Sequence, residues 1–311
     1  MNAVPDNFDP ENGIDKKLIP VVTAARKLRS WSERYRTSLL LLALLGFLVG
    51  LIFAIRQPGF TLDQIRWLPL LTLVVVVVPM TLAYSAINLQ VMAKASNAQM
   101  SFATATQASV FASLAELLPL PGGAIVRSAA LARAGATAFH SVELVLAFAL
   151  LWIAISAAGA GFALLEVSTM AAPVALGGGA ATIAITAWIG RRYGGRTAIA
   201  AFSLRLIGLG ITVLRVGLAL MALSIAFEWT DTLAFAFAIV AGTASAIVPA
   251  GLGLSEGLAA VLASAVEVSP AGAFLAVALG RLAGFVVNCL CAAGYILIAL
   301  VQRRKAASAD V

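Results

Sequence analysis

Residues 232–266 read TLAFAFAIVAGTASAIVPAGLGLSEGLAAVLASAV, and their form decides the fold. An apolar half runs from Thr232 to Val248, a break follows at Pro249-Ala-Gly-Leu-Gly253, and a short helix-forming stretch, Leu254 to Val266, carries Glu256. Neither half reaches the ~20 residues that a helix needs to cross a bilayer. Residues 102–134 repeat that form. The half from Phe102 to Leu118 stops at Leu-Pro-Leu-Pro-Gly-Gly, residues 118–123, and Ala124 to Ala134 follows with Arg127 and Arg133. A continuous helix through Pro119, Pro121, Gly122 and Gly123 would be broken. Two re-entrant hairpins are expected, each with the backbone of its break buried in protein or lining a wet cavity.

The sequence around these segments names the solvent. The chain has 311 residues, 61% hydrophobic and 11% charged, with a mean hydropathy of +1.00. Soluble domains carry about 25% charged residues. Of the 35 charged residues here, twelve lie in residues 1–37 and four in residues 303–311, which leaves 19 across the 265 between. So few charges cannot cover a water-facing surface. A soluble enzyme, a nucleic-acid-binding domain and a disordered chain are excluded. The apolar runs are continuous rather than alternating, which excludes an outer-membrane barrel. The fold class is an all-α polytopic membrane protein.

Six spans are expected: Ser38 to Ile55, Trp67 to Leu89, Val142 to Leu165, Pro173 to Ile189, Leu204 to Phe227 and Ala271 to Val301. The second carries Pro79, tolerated in a membrane helix at a kink. Residues 1–37 form a polar N-terminal segment without a cleavable signal pattern, and residues 18–36 could lie in the interface as an amphipathic helix. Residues 38–301 form the transmembrane domain and 302–311 a polar tail. The net charge of +7 reads as topology, because cytoplasmic loops collect Lys and Arg. With both termini inside, Lys94, Arg133, the 190–196 loop (Gly-Arg-Arg-Tyr-Gly-Gly-Arg) and Arg303-Arg304-Lys305 all fall on the cytoplasmic side. The first hairpin then opens inward and the second, after Glu228-Trp-Thr-Asp231, outward.

The two breaks align at an offset of 130 residues, Pro119 on Pro249 and Gly123 on Gly253. Halves of about 67–165 and 204–301 thus form an inverted repeat, the plan by which many secondary transporters place a site near the bilayer midplane. Helix N-termini starting at Gly123 and Gly253 would favour an anionic group.

At these residues LPLPGGAIVRSAALARAG (118–135), followed by Glu143, resembles the lysylphosphatidylglycerol synthase transmembrane, or flippase-like, family. So does IVPAGLGLSEGLAAVL (247–262), followed by LGRLAGF (279–285). The resemblance covers roughly residues 38–301. The first motif has Ala124 where the family carries Glu, and Leu144 where it carries Arg after the residue matching Glu143. The resemblance implies a bacterial-type inner-membrane protein that binds or moves phospholipid-like molecules. It also implies no lysyl transfer, since the soluble transferase domain of the synthases is not in these 311 residues.

Ionisable residues at a helix centre cost about 2.5–3.5 kcal/mol each on insertion scales and need a reason. Arg215 and Arg281 stand inside spans five and six and are expected to neutralise a lipid phosphate, with Glu256 orienting one of them. Gly122, Gly123, Gly251 and Gly253 would surround the headgroup at the tips. Glu116 and Arg127 flank the first break and are expected to pair. Glu143 reads as interfacial, Arg205 as snorkelling from the cytoplasmic end of span five, and His140 as a loop histidine. Gly46/Gly50 and Gly280/Gly284 have the spacing of close helix contacts. Cys289 and Cys291 lie two apart on a helix, unsuited to a disulfide or a metal site. With one histidine in the chain, neither a metal nor another cofactor is expected.

The favoured function is translocation of an anionic phospholipid or lipid-linked intermediate between leaflets, with membrane lipids as partners and no nucleic acid. The alternative is a non-transporting scaffold for a lipid-modifying enzyme, contacted through residues 16–36. Self-association is a further expectation. A lipid transferase fits least, because a nucleophile–base set is hard to assemble with one peripheral histidine. A DedA-type fold also uses opposed hairpins, but the order of motifs favours the flippase-like family.

Overall fold

The computed structural model describes residues 44–56, 64–116, 122–245 and 251–309. The segment 18–36, the first part of span one and the breaks at 117–121 and 246–250 lie outside the described residues. The described residues are helical and loop, without strand. In chain order the helices are α1 (Leu44–Ile55), α2 (Trp67–Ala95), α3 (Phe102–Ala115), α4 (Gly122–Arg133), α5 (Ala138–Ala163), α6 (Ala171–Tyr193), α7 (Gly195–Ala222), α8 (Asp231–Ala244), α9 (Leu254–Ala263) and α10 (Pro270–Ala309). Five of them, α2, α5, α6, α7 and α10, are long and apolar enough to cross a membrane. The chain is a multi-pass α-helical membrane protein.

Local chemistry sets the helix ends. Ser101 caps α3, its hydroxyl accepting the Thr104 N–H, and Thr137 caps α5 by accepting from the His140 N–H. Pro270 opens α10, where a missing N–H costs nothing. The valine run of α2 holds a π-helical turn, Leu73–Val77, closed by the Val78 N–H on the Leu73 carbonyl. Pro79 is its cause. The proline has no N–H and its ring crowds the carbonyl four residues back, so the chain widens by one residue there.

Several boundaries differ from the sequence expectation; the second span, for one, runs past Leu89 through Lys94 to Ala95. The basic 190–196 stretch is not a loop: α6 runs through Arg191 and Arg192 to Tyr193, and α7 starts at Gly195. Only Gly194 interrupts them, with φ +91°, a conformation that side chains resist. Arginine is a good helix former, and two arginines in a last turn suit the helix dipole. Span five is therefore displaced, starting nine residues before Leu204 and ending five before Phe227. The last helix passes Val301 and continues through the basic cluster to Ala309.

Two large cores and a small cluster of Leu82, Val110 and Ala292 hold the helices. One gathers Leu73 and Val77 of α2, Val216 and Leu220 of α7, Phe235 of α8, Ala259 of α9 and Val277 of α10. The other gathers Leu89 and Met92 of α2, Ala105 of α3, Leu131 of α4, Phe148 and Leu151 of α5 and Ala201 of α7. The short helices pack in pairs, α3 on α4 and α8 on α9. The tightest approach of long helices joins α5 to α6. A Cβ on Gly161 would lie 2.7 Å from Ala175 Cα, and one on Gly178 would lie 2.8 Å from the Ala154 carbonyl oxygen. The expected close contacts at Gly46 and Gly284 are not formed. Nothing stands within 4 Å of a Cβ at either position, and Gly50 meets only the Phe274 ring.

Candidate functional site

A cavity of about 250 Å³ opens beside the first core, lined by Val78 and Val277 of that core and by Leu82 of the small cluster. Val78, Thr81, Leu82 and Ser85 of α2 form one wall, and Ser113 and Leu114 of α3 with Arg127 of α4 another. Arg215 of α7, Ile239 and Thr243 of α8, and Val277, Arg281, Gly284, Phe285 and Asn288 of α10 complete it, with Glu116 at its margin. Both pairs of short helices reach this one space. The π turn helps to supply it, because Thr81 and Ser85 follow the widened segment on the face turned toward α3 and α10.

Among the described residues the charges lining the cavity are wired in pairs, with one exception. Arg127 Nη2 donates to Glu116 Oε1 at 2.8 Å. Arg281 Nε donates to Glu256 Oε1 at 2.6 Å, and its Nη2 reaches the Gly251 carbonyl at 3.5 Å. Glu256 is fully buried. Its second oxygen accepts the Gly253 N–H at 2.8 Å, so one carboxylate both caps α9 and holds α10. Glycine has no side chain to return the cap, and the motif is half a capping box. Arg215 has no acidic partner, and its buried Nε makes no hydrogen bond among the described residues. A second buried atom without a partner stands in the same wall. Asn288 Nδ2 donates to the Gly284 carbonyl at 2.8 Å, which leaves its Oδ1 unmatched.

The structure thus gathers Arg215, Arg281, Arg127 and Glu116 around one space and sets Glu256 behind the wall. The four tip glycines do not line the cavity. They close the helix pairs instead. A Cβ on Gly123 would lie 2.6 Å from Glu116 Cγ, and one on Gly122 would overlap the Ala115 carbonyl. Gly251, at φ +66°, presses on Gly242, where a Cβ would lie 2.6 Å from the Gly242 oxygen. Gly253, at φ +79°, gives up its N–H to Glu256.

Arg205 does not snorkel. It is 8% exposed, ten residues into α7. Its Nη1 donates to the Tyr84 hydroxyl at 2.9 Å. The Asn88 amide, oriented with its oxygen toward the guanidinium, accepts at 3.1 and 3.3 Å. The rings of Phe148 and Trp152 lie 5.5 and 5.6 Å from the guanidinium carbon. The displaced start of α7 is the reason, since it puts Arg205 farther from the helix end than the sequence suggested. Tyr84 presses on Gly208, where a Cβ would lie 2.6 Å from the ring carbon bearing the hydroxyl.

Glu143 is tied to Arg192 of the next helix at 3.3 Å. His140 sits beside them, bonded to Thr137 Oγ1 at 2.9 Å and 3.4 Å from Arg192 Nη2. Cys289 and Cys291 are free thiols. No group of three or more His, Cys, Asp or Glu stands close enough to hold a metal among the described residues.

Sequence reasoning missed Asn288, Thr81, Ser85, Ser113 and Thr243. A usable signal existed for Asn288, seven residues beyond Arg281 and therefore on the same face of a helix otherwise apolar there. Comparison of the chain with family models and with curated proteins finds no match.

Proposed function

We propose that the chain binds an anionic phospholipid or lipid-linked intermediate in this cavity and carries it between the leaflets of a bacterial-type inner membrane. The observation that carries the reading is Arg215. It faces a cavity among membrane helices with no carboxylate of its own among the described residues. An uncompensated arginine in a span costs about 2.5–3.5 kcal/mol, which an anionic ligand offsets. A lipid phosphate supplies that anion while its acyl chains remain in the bilayer. The resemblance to the flippase-like family points the same way.

In this reading α3–α4 and α8–α9 are re-entrant hairpins of opposite orientation, six helices span the membrane, and both termini are cytoplasmic. On that topology the two hairpins open to opposite sides of the membrane, the arrangement that inverted-repeat transporters use for alternating access. Cysteines at positions 120 and 250 test the topology. Labelling of 120 only from the cytoplasm and of 250 only from outside is expected, and uniform protection of both excludes the hairpins.

Transport is tested in liposomes containing the purified full chain and a fluorescent anionic phospholipid. Wild-type protein is expected to expose the label to an outside quencher faster than empty liposomes, and Arg215→Gln to return the rate to background. Unchanged flipping in Arg215→Gln removes the role given to this residue. A scaffold for a lipid-modifying enzyme would leave flipping at background in the wild type and co-purify with the enzyme.

A further inference from the structure

We infer that the cavity selects a monoanionic phosphodiester whose headgroup carries a hydroxyl or amine donor, with Arg215 taking the phosphate and Asn288 Oδ1 taking the donor. The inference rests on the proposed lipid-binding role of the same cavity and names its substrate class.

Two observations carry it. The first is a charge count. Three arginines face the cavity. Glu116 answers Arg127 at 2.8 Å and Glu256 answers Arg281 at 2.6 Å, which leaves the single charge of Arg215 among the described residues. Arg205 does not line the cavity. A phosphodiester brings one negative charge and closes the count. A phosphomonoester or pyrophosphate brings more, and its surplus would be buried without a counter-charge.

The second observation is the pair of unmatched atoms. Arg215 Nε is a buried donor without an acceptor, and Asn288 Oδ1 a buried acceptor without a donor. The bond from Asn288 Nδ2 to the Gly284 carbonyl fixes which way the amide points, so the open atom is the oxygen. A phosphate oxygen matches the first and repels the second, because both it and Oδ1 are acceptors. The donor must come from elsewhere on the ligand. Arg215 Nε stands over Gly280, 3.6 Å from where a Cβ would be. Asn288 lies eight residues farther along α10, roughly 12 Å by helical rise. The donor therefore sits well beyond the phosphate, as on a polyol or sugar headgroup.

The test is competitive binding to the full chain in nanodiscs, with three lipids of matched acyl chains. Phosphatidylinositol and phosphatidylmethanol share one charge and differ in headgroup donors, and phosphatidic acid is the monoester. Phosphatidylinositol is expected to compete about tenfold better than phosphatidylmethanol, the scale of one buried polar group satisfied. Phosphatidic acid is expected to gain nothing over phosphatidylmethanol. Asn288→Leu should bring the ratio of phosphatidylinositol to phosphatidylmethanol affinity down from about ten to about one. Equal binding of the two diesters to wild type, with water serving Asn288, overturns this inference and leaves the lipid reading standing. Preference for phosphatidic acid overturns it through the charge count. Absence of binding by all three overturns both. Water-soluble glycerophosphoinositol competing as well as the lipid upholds the phosphodiester selection and overturns the lipid reading.

Discussion

In the first pair of short helices, Glu116 and Arg127 meet each other at 2.8 Å, and both side chains are part-exposed, at 38% and 28%. In the second, Glu256 turns from its own pair to Arg281 of α10, at 2.6 Å and with no exposure of its own. The first pair closes on itself. The second is fastened to the longest helix through a carboxylate that also caps α9. Similar form in sequence has been given different wiring, and burial decides what each wire contributes. An exposed ion pair is worth about 0–1 kcal/mol. A buried one contributes little net against an apolar pair, yet removing one partner strands a charge and costs about 3–5 kcal/mol.

The sharpest way to break this contrast is Glu256→Ala, which takes the carboxylate from Arg281 and uncaps α9 together. A loss of about 3–5 kcal/mol is expected, read as a lower thermal midpoint in detergent. A loss no larger than that of Glu116→Gln would put the two pairs on one footing. Arg215→Leu should act with the opposite sign. It removes an uncompensated charge and is expected to raise lipid-free stability by about 2 kcal/mol while abolishing lipid binding. The glycine closures should behave alike in both pairs. Gly242→Ala drives a Cβ into Ser255 and Gly122→Ala into Ala115, each expected to cost about 1–3 kcal/mol as overpacking. Glu116→Gln should cost at most about 1 kcal/mol. Arg192→Gln, which removes a 47% exposed guanidinium from a Glu143 side chain 16% exposed, is likewise expected to cost at most about 1 kcal/mol.

The same difference in burial separates what the sequence reveals from what it hides. The long helices were legible because the bilayer admits little but apolar helices, and charges within those runs marked Arg215 and Arg281, as the charge after the second break marked Glu256, without any structure. Their ends were less legible. Charged residues at 191, 192 and 196 look like a loop, although only Gly194 requires a break. That displacement hid the setting of Arg205, whose hydrogen-bond partner Tyr84 lies 121 residues away in sequence. Asn288 escaped because an amide carries no charge to flag it. Glycine spacing misled for a geometric reason. The glycines that bring helices together, Gly161 and Gly178, lie on different helices, so no motif within one helix records them.

The π turn of α2 has a consequence for the whole molecule. Leu73 and Val77, which bound it, and Val78 just after it belong to one core; Ala86, Leu89 and Met92, farther along the helix, belong to the other. One extra residue swings the helix face by about 100°, and the single rod serves as a wall for two rooms. Deleting any one valine from Val74–Val78 would restore an ordinary helix and leave the chain only 310 residues long. It would also turn one core's side chains into the lipid, or Thr81 and Ser85 out of the cavity. In that run of identical letters the count is the information, and which valine is lost hardly matters.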